Sequence, residues 1–214
     1  MRKPILSKLF LLLCLILFLG SCSDSAPKIS QTFWQLNLVH DQKTGKNSQA
    51  LTIFVMASDE DGVDDMDKMY VINDDNQLCW EVSGKDLRIE KYGENEVWMG
   101  SNFITMPDPQ EKFPGGTYRI MLLDSSGERA KTSIVISNNI KSAPDKWPSL
   151  TKAADGVRVD GKADYVWGIQ ADGTFGGEFK VEPGLVSTGS RRFSWYYLYS
   201  YLPDQGYGLI NGPF

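Results

Sequence analysis

From Ser30 onward, apolar and polar residues alternate with a period of two rather than 3.6 over most of the chain, the pattern of strands that bury one face. Phe33, Trp34, Leu36 and Leu38 form a first candidate strand, and residues 51–56 a second, after the polar turn from Asp41 to Ser48. Residues 69–72 follow an acidic loop, and Leu78, Trp80 and Val82 alternate in the next strand. Residues 87–92 and 96–99 come after turns at Ser83-Gly84 and Gly93-Glu94-Asn95. Short strands set apart by Gly, Asn and Asp predict a sandwich or a barrel. No stretch downstream of Ser30 has a convincing amphipathic helical pattern.

The strongest hairpin signal is 113–136. Tyr118, Ile120 and Leu122 share one side of a strand, Ala130, Thr132, Ile134 and Ile136 repeat the rhythm on the return, and Asp124-Ser125-Ser126-Gly127 supplies the turn, with Gly able to take positive φ. This hairpin, opened by Gly116-Thr117-Tyr118, resembles the last hairpin of bacterial immunoglobulin-like and fibronectin-type modules. The stretch Phe54 to Met66 is similar to the turn between their second and third strands. The resemblance covers residues 29–138 and implies an all-β immunoglobulin-like sandwich. That fold serves many functions, and the paired cysteines of antibody domains are missing, so it carries no antigen-like recognition with it.

Asn138 to Ser149 is polar and bears Pro144 and Pro148, with Trp147 inside it, which marks a connector at 139–150 between a sandwich at 31–138 and a second part at 151–214. The second part is rich in Gly and aromatic residues. Asp155-Gly156, Asp160-Gly161 and Asp172-Gly173 are hairpin dipeptides, residues 165–170 and 174–181 read as a ribbon, and strands follow at 192–201 and 207–210. A β-unit this small is marginal alone and is expected to pack on the first domain. In its longest strand Phe193, Trp195, Tyr197, Tyr199 and Tyr201 alternate with Ser194, Tyr196, Leu198 and Ser200, which places five aromatic residues on one face. Exposed, Trp195, Tyr197, Tyr199 and Tyr201 would offer a stacking platform to sugars or a protein; buried, they would form the core of the small sheet. The adjacent Arg191-Arg192 reads as a solvated strand end.

The first residues follow a different logic. Arg2, Lys3 and Lys8 precede an apolar run from Leu9 to Leu19, the layout of a secretory signal, and eleven apolar residues are too few for a span of about 20. The run ends in Leu19-Gly20-Ser21-Cys22. This resembles the bacterial lipobox. The resemblance implies cleavage of residues 1–21, a diacylglycerol thioether on Cys22 and acylation of the new amino group. More than one acyl chain gives stable attachment. Residues 23–30, with Pro27, then read as a linker. Ser23 stands where Asp would favour inner-membrane retention in enteric lipoproteins, so the resemblance points to the outer membrane.

Loss of the signal's three cations takes the formal charge from −5 to about −8 over about 190 residues. That acidity, with one histidine, argues against nucleic acid or anionic lipid as partners of the folded part. Cys14 leaves with the signal and Cys22 carries lipid. Cys79 is then left alone between Leu78 and Trp80, which predicts a buried, inert strand residue.

Asp59, Asp61, Asp64, Asp65 and Asp67 crowd around Gly62. Oxygen ligands at this density suit Ca²⁺, but placing Gly62 at the sixth position of an EF-hand loop puts Ala57 and Lys68 where the first and twelfth ligands belong, and a solvated turn explains the same residues. His40 has no second histidine to share a metal with, and reads as a surface residue. Neither Gly-x-Ser-x-Gly nor a phosphate-binding Gly-rich loop is present. The sequence therefore predicts a non-enzymatic, lipid-anchored envelope protein that binds a protein or structural partner. The competing reading is a carbohydrate-binding lipoprotein that uses the aromatic stripe.

Overall fold

The structure is a computed structural model that describes residues 25–60, 62–93, 96–189 and 191–214. It is all-β. Fifteen strands run in chain order: β1 (Lys28–Asp41), β2 (Asn47–Ser58), β3 (Met66–Asn73), β4 (Leu78–Ser83), β5 (Arg88–Lys91), β6 (Glu96–Thr105), β7 (Gly116–Asp124), β8 (Arg129–Ile136), β9 (Ser149–Ala153), β10 (Gly156–Asp160), β11 (Tyr165–Ile169), β12 (Phe175–Lys180), β13 (Leu185–Ser187), β14 (Trp195–Leu202) and β15 (Tyr207–Gly212). The only helical element among the described residues is a 3-10 turn, Gly84–Asp86.

Three sheets result among the described residues. The largest has the order β12-β11-β14-β15-β1-β2-β6-β5, and two smaller ones have the orders β4-β3-β7-β8 and β13-β10-β9. Strand β15 lies parallel to β1, with Leu38 opposite Leu209 and Asp41 opposite Gly212, so one sheet runs unbroken from the first part of the chain into the last. Parallel pairing needs a long crossover, and the chain between β1 and β15 provides it. Hairpin periodicity along the sequence carries no trace of such a pairing.

Side-chain alternation places both smaller sheets on one face of the large sheet. Leu36 and Leu38 of β1 and Leu51, Ile53 and Val55 of β2 pack with Met69 and Val71 of β3 and Tyr118, Ile120 and Leu122 of β7. Tyr207 and Leu209 of β15 join that core. On the same face, Tyr196 and Leu198 of β14 and Val166 of β11 pack on Val157 of β10 and Val186 of β13. Each such fully buried side chain contributes about 1.5–3 kcal/mol, and the fold rests on these two stripes. The 113–136 hairpin forms as its pattern predicts: Tyr118, Ile120 and Leu122 are fully buried, and Asp124 Oδ1 accepts the Gly127 and Glu128 backbone N–H groups at 2.8 and 2.9 Å.

Two expectations need correction, and a third, for His40, is refined. Cys79 is exposed, not buried: Leu78 and Trp80 turn toward the core, so period two sends the residue between them outward on the edge strand β4. His40 is half-buried, its ring stacked on Trp147 at 4.9 Å and Nδ1 2.7 Å from Asn47 Oδ1, so the connector's tryptophan packs on β1. Phe193 leaves the stripe. Its ring lies in the second core against Tyr196 and Phe179, over Gly168 and Gly176, because regular pairing starts only at Trp195.

The beginning of the described chain is also packed down. β1 starts at Lys28, Pro27 is buried, Ser25 Oγ donates to Asp59 Oδ1 at 2.6 Å, and Lys28 pairs with Glu60.

Candidate binding face

Among the described residues no second sheet packs on the opposite face of the large sheet, and that face gathers the stripe. Cross-strand register sets the rows. Glu178, Trp167, Tyr197, Gly212 and Asp41 lie in one row across β12, β11, β14, β15 and β1, and Lys180, Tyr165, Tyr199, Ile210 and Val39 in the next. A third row carries Tyr201, Gly208, Asn37 and Ala50. Trp195, Tyr197, Tyr199 and Tyr201 therefore share one face, as their spacing predicts. Tyr165 and Trp167 extend it, and their own alternation in 165–169 was the signal for them.

The rings shield the sheet beneath them. Val39, Ala50 and Ile210 are 6%, 0% and 5% exposed although no second sheet among the described residues covers them, because Trp167, Tyr197 and Tyr199 pack over them. Two glycines make this possible. A Cβ at Gly208 would run into Gln35, Asn37 and Tyr199, and one at Gly212 would come within 2.6 Å of the Tyr197 ring. Trp167 and Tyr199 stack at 4.8 Å and 14°, so each gives one ring face to the other. Trp195 and Tyr201 flank them at 39% and 41% exposure, and Tyr197 and Tyr199 are half-buried. The stripe is thus neither a closed core nor fully solvated. Burial raises the Tyr197 and Tyr199 hydroxyl pKa values above the ordinary phenol range.

Beside the rings runs a chain of neutral polar groups. Gln35 Nε2 donates to the Tyr199 hydroxyl and to Asn37 Oδ1, each at 2.7 Å. Asn37 Nδ2 donates to Thr52 Oγ1 at 3.1 Å, and the Thr52 hydroxyl donates to the Asn102 carbonyl at 3.0 Å. Four charges close to the rings are engaged. Lys43 Nζ sits 4.0 Å above the Trp195 ring, a contact worth about 0.5–1 kcal/mol at an exposed site. Glu178 accepts the Trp167 indole N–H at 2.9 Å, and Asp164 accepts the Tyr201 backbone N–H at 2.7 Å. Asp41 Oδ1 caps its own turn through the Thr44 and Lys43 backbone N–H groups, and the Thr44 bond is the leading cause of its lowered pKa.

The acidic turn distributes its carboxylates differently. Asp59 is 4% exposed and bonded to Ser25; Asp64 pairs with Lys91 at 2.6 Å and Asp67 with Lys68 at 3.1 Å. Asp65 is half-buried, its carbonyl accepting the Ser125 N–H at 2.9 Å, and Asp61 lies outside the described residues. Among the described residues no three His, Cys, Asp or Glu side chains are placed to hold a metal ion. Cys22 also lies outside the described residues, and among those described no helix is long and apolar enough to cross a membrane.

No family model, curated protein or solved structure matches the chain. The functional reading rests on the face itself.

Proposed function

We propose that the chain is a non-enzymatic, lipid-anchored protein of a bacterial envelope, more in keeping with the outer membrane than the inner, that binds a protein or structural partner through the open aromatic face. The observation that carries this reading is the face: Trp167, Trp195, Tyr199 and Tyr201 stand on a broad sheet whose other side alone is covered. Large, rigid aromatic side chains supply contact area at little entropic cost.

The placement of the face suits a tethered binder. Five residues separate Cys22 from β1, a reach of about 17 Å when extended, and Ser25 and Pro27 are already packed down. The body would therefore sit close to the headgroups. Strand β1 then climbs nine residues from Lys28 to Asn37, about 30 Å, before it meets the rows that hold Tyr199 and Tyr201. The partner surface is held away from the bilayer. The order β1-β2-β6-β5 facing β4-β3-β7-β8 also supports the immunoglobulin-like reading of residues 31–138, with its two sheets of consecutive and crossed-over strands.

Two measurements test the proposal. Radiolabelled palmitate is expected to enter the wild-type chain and not Cys22→Ser, and only the wild type should fractionate with membranes. Retention of the full chain on washed envelopes should fall about tenfold in Trp195→Ala/Tyr201→Ala, whose partly exposed side chains cost little stability to remove. Label in the serine variant, or equal retention of the double variant, refutes the corresponding half.

A further inference from the structure

The composition of the open face narrows what it takes. We infer that its ligand is a neutral, hydroxyl-rich carbohydrate chain, seated on the rings of Trp195, Trp167 and Tyr199 and hydrogen-bonded by Gln35 and Tyr199. This takes a carbohydrate, not a protein, as the partner in the proposal above and rests on that proposal's assignment of the open face as the binding surface.

Three observations lead there. The large apolar side chains exposed on this face are aromatic. Phe33 and Phe103 stand on its β1–β6 side and Trp195 and Tyr201 on β14, while the aliphatic Val39, Ala50 and Ile210 are sealed beneath rings. The exposed aliphatic residues Ile89, Val135 and Leu185 belong to β5, β8 and β13, and Ile89 pairs with Met99 on the covered side. Ring faces carry negative potential and meet the C–H faces of a pyranose well.

Four charges nearest the rings are already engaged, while Lys180 stands at the far end of the Tyr165 and Tyr199 row. Lys43 is spent on Trp195, Glu178 on Trp167, Asp164 on the Tyr201 amide and Asp41 on its own turn. A charged polymer would find no uncommitted counter-charge among these four side chains, and a neutral one needs none.

Finally, hydrogen-bonding capacity remains where a sugar hydroxyl would sit. The Tyr199 hydroxyl accepts from Gln35, which leaves its own hydrogen to donate. The Gln35 amide spends Nε2 on Tyr199 and Asn37, which leaves its carbonyl oxygen to accept. A donor and an acceptor side by side at the margin of a ring platform match a sugar hydroxyl, which is both.

The test uses the full chain in a zwitterionic detergent without sugar headgroups. Isothermal titration is run with neutral hexasaccharides of glucose, xylose, mannose and N-acetylglucosamine, and with oligogalacturonate as the anionic comparison. At least one neutral hexasaccharide should bind with Kd of about 10 μM to 1 mM and less than about twofold change between low and high salt. Trp195→Ala should weaken it about tenfold, and Tyr199→Phe, which keeps the ring, about three- to tenfold. Binding by no neutral hexasaccharide, binding only of the galacturonate, or indifference to both substitutions overturns the inference. Retention on envelopes that depends on Trp195, is abolished by protease treatment of the envelopes and is not competed by sugars would sink the carbohydrate while the broader proposal stands. Palmitate label in Cys22→Ser would do the reverse.

Discussion

Gln35 Nε2 donates to the Tyr199 hydroxyl across 2.7 Å, although 164 residues separate them and β15 lies between their strands. The bond crosses over Gly208, whose missing side chain leaves the channel open. It therefore fastens β14, near the end of the chain, to β1, near its beginning. Tyr199→Phe keeps the ring and its stack on Trp167 and loses only this bond. A half-buried neutral hydrogen bond contributes about 0.5–1.5 kcal/mol, and urea unfolding of Tyr199→Phe should show a loss in that range with an unchanged m-value. A larger loss would mean that the Trp167 stack depends on the hydroxyl.

Gly208 gives the sharper perturbation. A Cβ there collides with Asn37 Oδ1, comes within 2.5 Å of Gln35 Nε2 and within 3.0 Å of the Tyr199 ring. All three are side chains of the open face. Gly208→Val should force that face apart at a cost of about 1–3 kcal/mol and uncover Ile210 and Val39. Tyr199 and Trp167 would become more accessible, read as a red shift of tryptophan emission and faster quenching by acrylamide. Unaltered emission and stability would show that the rings do not rest on the strand as described.

How far the sequence led can be judged residue by residue. Period two named the strands of the first core because Tyr118, Ile120 and Leu122 alternate with residues that stay wetter, and the Asp124–Gly127 turn announced itself through side-chain and glycine chemistry. The stripe at 195–201 was legible for the same reason. The pairing of β1 with β15 was not, since a parallel contact between distant segments leaves no local signature, and the single large sheet follows from that contact. Short strands such as β9 and β13, at five and three residues, are too brief to show a period. Phe193 kept the rhythm of the stripe yet faces the other way, because alternation governs direction only where the backbone is paired.

Cys79 tests the corrected orientation directly. It projects from the edge strand β4, so Ellman's reagent should titrate it in the native chain at a rate close to that in urea. Cys79→Ser should change stability by no more than about 0.5 kcal/mol. A thiol that reacts only after unfolding would return it to the interior.

Tyr118 makes alkaline stability the last test. Its side chain is fully buried in the first core and its hydroxyl donates to the Pro114 carbonyl at 2.8 Å. Burial pushes its pKa up to about 12, from the 10.0 of a free phenol. The folded state thus holds the neutral phenol, while the unfolded chain ionises earlier. The stabilisation is fully present below pH 10 and is lost as pH climbs toward 12, because the unfolded state gains from releasing the proton first. At pH 11 this one residue should cost about 1.4 kcal/mol relative to pH 8. Tyr118→Phe should be less stable at pH 8 by about 1 kcal/mol, having lost the bond to Pro114, yet flatter above pH 10. Tyr197 and Tyr199, whose pKa values burial also raises, keep part of the slope in both proteins. Urea midpoints of wild type and Tyr118→Phe should therefore converge between pH 9.5 and pH 11, and curves that stay parallel across that interval would show that Tyr118 ionises alike in the two states.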